Sequence, residues 1–92
     1  MINSLDEARK EINRIDKEMA KLFEERMACA RVIAEYKKAN NLPVFDEARE
    51  DELIKNNSLL IENENIKKYY IDFLRNNMEI SKKYQKVLIQ KD

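Results

Sequence analysis

Apolar residues recur at heptad spacing through the first third of the chain. Leu5, Ile12, Met19, Arg26 and Ile33 lie seven apart, and Ala8, Ile15, Leu22, Cys29 and Tyr36 form a companion row. The rows alternate three and four residues apart, the spacing of a helical stripe that packs on other helices. Ser4 and Glu7 bracket its start as a capping box, S-L-D-E, in which hydroxyl and carboxylate satisfy end amides reciprocally. The pattern predicts a helix unbroken to Tyr36 and closing in K-K-A-N-N. Basic residues suit a helix C-terminus, and asparagine tolerates the left-handed conformation that usually calls for glycine.

Leu42 and the sole proline, Pro43, form a short connector. A second helix is predicted to start near Asp46, a good cap, and to carry Ala48, Leu53 and Ile54 toward the core. Its end is open, because Asn56-Asn57-Ser58 can break it while Leu59, Leu60 and Ile61 can continue it. The polar run E-N-E-N marks the next loop. A third helix is predicted from Ile66 to about Ile89, with a seam of Ile71, Leu74, Met78, Ser81, Gln85 and Leu88. The expectation is an all-α chain, one domain over residues 1–92, with three helices of which the first is very long. About 35 residues of helix reach roughly 50 Å, whereas a globule of this length is only about 30 Å across. The pattern therefore predicts an intertwined homodimer, in which a second copy covers the long stripe.

Polar residues interrupt these faces. Arg26 stands on the first stripe, and Lys37, eleven residues later, returns to nearly the same face. Asp46, Arg49 and Glu50 share one face with Leu53, and Ser81 and Gln85 sit four apart between Met78 and Leu88. Each has an ordinary reading alone: a register residue, a salt-bridged helix start, a small filler, a lysine at a helix end. Together they place polar groups on an apolar face of all three helices. Buried polar groups need partners, so the set describes a pocket for a small polar anion.

Composition narrows the chemistry. Eighteen basic residues balance eighteen acidic ones and are scattered among them, so no net field draws the chain to nucleic acid or anionic lipid. No apolar run approaches a membrane span and no signal peptide is visible, which predicts a cytoplasmic protein. With no histidine and one cysteine, the common zinc sets and the Ser-His and Cys-His nucleophile systems are excluded. With no glycine, neither a P-loop nor a dinucleotide-binding turn can form. Cys29, on the stripe, reads as packing. Carboxylates, amides and cations are left, and these suit positioning and charge stabilisation.

The ordered set then carries a resemblance. Arg9, Arg26 seventeen residues on, Lys37 after eleven more, Asp46-x-x-Arg49-Glu50 behind the P-V-F connector, and Ser81-x-x-x-Gln85 resemble the all-helical AroQ-class chorismate mutases over roughly Leu5 to Gln90. The resemblance implies an intertwined dimer with two identical sites. It implies rearrangement of chorismate to prephenate, in the shikimate pathway at the branch toward phenylalanine and tyrosine, with no metal or cofactor. It implies a catalytic set of Arg9, Arg26, Lys37 and Gln85. Arg9 from the partner and Arg26 would grip the two carboxylates, Lys37 a carboxylate and the ether oxygen, and Gln85 the same oxygen. Glu50 would accept the ring hydroxyl beside the Asp46 backbone, Ser81 would support a carboxylate, and Arg49 would orient Glu50. Ile33, Leu53 and Met78 would wall the ring. Other readings stay open: an isochorismate pyruvate lyase on the same scaffold, a non-catalytic helical interaction module, or a mutase that is slow until it joins another enzyme of the pathway.

Overall fold

The computed structural model describes residues 4–90 as three helices: α1 (Leu5–Ala39), α2 (Glu47–Ser58) and α3 (Glu64–Gln90). The caps are those the sequence encodes. The Ser4 hydroxyl accepts from the Glu7 N–H at 3.1 Å, and the Asp46 carboxylate accepts from the Arg49 N–H at 3.1 Å. At the end of α1, Asn40 is the C-cap and Asn41 takes φ 54°, the left-handed conformation expected of this glycine-free terminus.

Two boundaries left open or misplaced by pattern are settled by side chains. α2 stops at Ser58 rather than continuing through Leu59. The Asn57 amide donates to the Leu53 carbonyl at 2.9 Å and the Ser58 hydroxyl to the Lys55 carbonyl at 3.1 Å. Such local bonds compete with the helical ladder. The E-N-E-N run is only half loop, because α3 begins at Glu64. Asn63 supplies the capping oxygen, accepting from the Asn65 N–H at 2.9 Å.

α3 is the central element and packs against both α1 and α2. Leu74, Met78, Ser81 and Gln85 are buried on it, and Ile71 and Leu88 are half-buried, so its seam lies where the periodicity puts it. α1 differs. The face it turns to α3 carries Ala30 and Ala34, both buried, small residues four apart that let helix axes approach. The heptad stripe sits beside that face and is open within the single chain: Leu22 is 62% exposed and Ile12 54%. Arg26, expected on a buried stripe, is exposed, and so is Cys29, which was expected to pack.

The chain measures 53 × 26 × 14 Å with a radius of gyration of 16.4 Å, against roughly 12 Å for a compact domain of this length. The unbroken α1 sets that length. Among the described residues no helix is long and apolar enough to cross a membrane.

Candidate active site

α3 packs on α1 and on α2, and residues of all three helices line an open cleft of about 530 Å³. That volume falls within the range of small-molecule sites. α1 lines it with Arg26, Cys29, Ala30, Ile33 and Lys37, the connector and α2 with Val44, Asp46, Arg49, Glu50 and Leu53, and α3 with Met78, Ser81, Lys82 and Gln85. Arg26, Lys37, Asp46, Arg49, Glu50, Ser81 and Gln85 therefore meet at one cavity although they come from three separate patterns. The expected ring walls Ile33, Leu53 and Met78 meet there too. Arg9 does not. It sits near the opposite end of α1, about 25 Å along the helix from Arg26.

The polar groups are held in distinct ways. Lys37 donates to the Val44 carbonyl at 2.7 Å, which ties the last turn of α1 to the connector and fixes the ammonium at the cavity edge. Gln85 donates its amide to the Ser81 hydroxyl at 2.9 Å, both residues being buried. The Gln85 Oε1 has no partner among the described residues, and an orphaned buried acceptor costs about 1–3 kcal/mol. Because Ser81 can donate as well as accept, turning the amide over would keep that bond and free the NH2 group for an acceptor in the cleft. Arg26 has no carboxylate partner among the described residues.

Two features differ from the sequence expectation. Arg49 does not orient Glu50: its guanidinium pairs with Glu52 at 2.6 Å, three residues along the outer face of α2. Glu50 is instead paired with Lys82 of α3 at 3.0 Å. Lys82 also pairs with Glu79 at 2.7 Å and lies 4.8 Å from the centroid of the Phe45 ring. Pattern reading passed over Lys82, Val44, Ala30 and the cavity-facing role of Cys29. For Lys82 a signal existed, since Met78, Ser81, Lys82 and Gln85 stand at i, i+3, i+4 and i+7 and so share one stripe.

Hydrogen bonds to Glu79 and then Glu50 raise the Lys82 ammonium above its ordinary range, while burial opposes the shift. The same hydrogen bond and charge hold the Glu79 carboxyl below its ordinary range. The Glu79 contribution is thus present above the ordinary carboxylate pKa and fades as acid titrates the folded protein. The Lys82 contribution is present below the ordinary lysine pKa and fades as pH rises through the raised value. The pairing is accordingly intact across the neutral range.

Four cations and two carboxylates line the cleft, so one chain presents it with a net charge of two positive. The fold and site define an all-helical protein with a polar, cation-rich pocket lined by all three of its helices. A family model, chorismate mutase type II, matches residues 8–86; the chain belongs to that family and is an isomerase, a chorismate mutase. Comparison with curated proteins and with solved structures gave no match.

Proposed function

We propose that this cleft rearranges chorismate to prephenate, and that each site is completed by Arg9 from a second copy of the chain. The observation that carries the reading is the convergence, on one cavity, of seven of the eight residues that the family resemblance names. The eighth, Arg9, is too far along α1 to belong to the same chain's site. The open heptad stripe supports the second copy, since a contiguous apolar strip of this kind marks an interface.

The reaction is an intramolecular Claisen rearrangement and needs no nucleophile or proton transfer. A flexible dianion must fold so that its carbon ends meet, and negative charge grows on the ether oxygen as its bond breaks. The first task is conformational restriction, which can remove several kcal/mol of barrier. Arg26 and the partner's Arg9 suit it, because a guanidinium fork grips a carboxylate through two parallel bonds. The second is electrostatic and requires donors fixed in advance where charge develops. Lys37, anchored on Val44, and the Gln85 amide, anchored on Ser81, fill that role from opposite walls. Glu50 accepts the ring hydroxyl near the Asp46 backbone, Ser81 supports a carboxylate, and Arg49 adds positive charge at the rim. Ile33, Leu53 and Met78 exclude water around the ring, which strengthens each of these interactions.

Incubating the purified chain with chorismate tests the reading. Loss of the substrate's ultraviolet absorbance with prephenate as the product, and no pyruvate, supports it. Turnover of isochorismate to pyruvate with chorismate left intact would assign the cleft to the lyase reaction, and silence toward both would favour a binding module or an enzyme that needs a partner.

A further inference from the structure

Lys82 is the charged residue of the cleft that the proposed chemistry does not use, and two carboxylates hold it. Its ammonium meets Glu50 of α2 at 3.0 Å and Glu79 of its own helix at 2.7 Å, and it faces the Phe45 ring of the connector at 4.8 Å. Its side chain is 16% exposed and that of Glu50 is 22%. Among the described residues this is the one ion pair that joins two different helices; the others link residues three or four apart on one helix. Lys82 is thus held from three sides, by Glu79 of α3, Glu50 of α2 and Phe45 of the connector. Arg49, the neighbour that would otherwise hold Glu50, is engaged with Glu52.

We infer that Lys82 is a positioning residue for substrate binding: it fixes the Glu50 carboxylate in the orientation that receives the substrate's ring hydroxyl. The inference rests on the chorismate reading above. A carboxylate on the first turn of α2, in a cleft that also holds Arg26, Lys37 and Arg49, has strong alternatives. Released from Lys82, it can swing onto a cation meant for the substrate and compete with the dianion. Glu50 needs only one oxygen for Lys82, because the ion pair is made through Oε2, and a carboxylate has lone pairs to accept a hydroxyl as well. The pair also ties the first turn of α2 to α3.

The ring hydroxyl does not gain charge as the ether bond breaks. Its interaction with Glu50 is therefore made about equally in ground and transition states, and its loss appears in KM rather than kcat. Lys82→Met keeps the aliphatic stem against Phe45 and removes the charge. Its KM for chorismate should rise about 10-fold, the scale of a hydrogen bond to a charged group, with kcat within about twofold of the unsubstituted enzyme. On a Glu50→Gln background the same substitution should change KM by less than about twofold, because the group it positions is gone. Lys82→Arg, which keeps the cation, should recover most of the loss.

Backbone amide exchange in the ligand-free protein reads the pair without substrate. The Arg49 and Glu50 amides bond to Asp46, and Lys82→Met should speed their exchange. Faster exchange and a KM rise confined to the Glu50-containing background support the inference. Unchanged KM, with activity falling only as folded protein is lost, would overturn it, as would an equal KM rise on both backgrounds, which would mean that Lys82 touches the substrate itself. If the unsubstituted chain leaves chorismate unchanged, the chorismate reading fails instead. The exchange result then decides separately whether Lys82 holds the first turn of α2.

Discussion

Arg26 shows at the residue scale why a broken pattern carries information. A guanidinium on an apolar stripe lacks a counter-charge, and among the described residues none is supplied; on the proposed function the substrate supplies it. Arg26→Ala should lower kcat/KM at least about 100-fold, the worth of a charge-assisted bidentate contact. Because the side chain is exposed in the chain, circular dichroism and the melting temperature should barely move. Unfolding on this substitution would assign Arg26 to structure. Gln85 carries a second expectation, in pH. An amide donates at any ordinary pH, so the rate should persist through neutrality. Gln85→Glu should be active only in acid, since a buried carboxyl must be protonated to donate and burial raises its pKa. A pH–rate profile of the two proteins checks this, and a flat profile for the glutamate variant would remove Gln85 from the ether oxygen. Seven residues that line the cleft were legible as polar groups on helix faces that also carry apolar residues. Lys82 shares the stripe of Met78, Ser81 and Gln85, but that signal is masked, because a lysine three residues after a glutamate is what any solvated helix face displays.

At the scale of the elements, the sequence was most readable where local chemistry decides. Ser4 and Asp46 cap as their residue types require, and the α3 seam is buried where its period puts it. The α1–α3 contact was not legible. Alanine is both the best helix former and a neutral filler, so Ala30 and Ala34 leave no mark against a row of leucines and isoleucines. A heptad stripe also reads as core whether its own chain or another copy covers it. The alanine contact makes a sharp prediction: Ala34, 1% exposed, has no room to grow. Ala34→Leu should destabilise the fold by about 1–3 kcal/mol, seen in a denaturant melt. The exposed Val32 on the same helix, 65% exposed, should accept leucine within about 0.5 kcal/mol. Equal effects at the two sites would mean that α1 does not pack on α3 through this face.

For the whole molecule, the question is what covers the stripe. One chain is 53 Å long and 14 Å thin and leaves Ile12, Leu22 and their row in solvent. On the proposed function a second copy would cover this surface and bring Arg9 to the cleft. Leu22→Asp, harmless to an isolated chain at 62% exposure, should convert dimer to monomer in sedimentation and abolish turnover. Complementation tests the shared site most directly. Arg9→Ala and Lys37→Ala are purified separately, each nearly inactive, and then mixed under conditions that exchange subunits. About half of the exchanged dimers are mixed, and each has one intact site of two, so the mixture should recover about a quarter of the unsubstituted activity. A mixture that stays at the level of its parents, with exchange confirmed by mass, would contradict a site built from two chains.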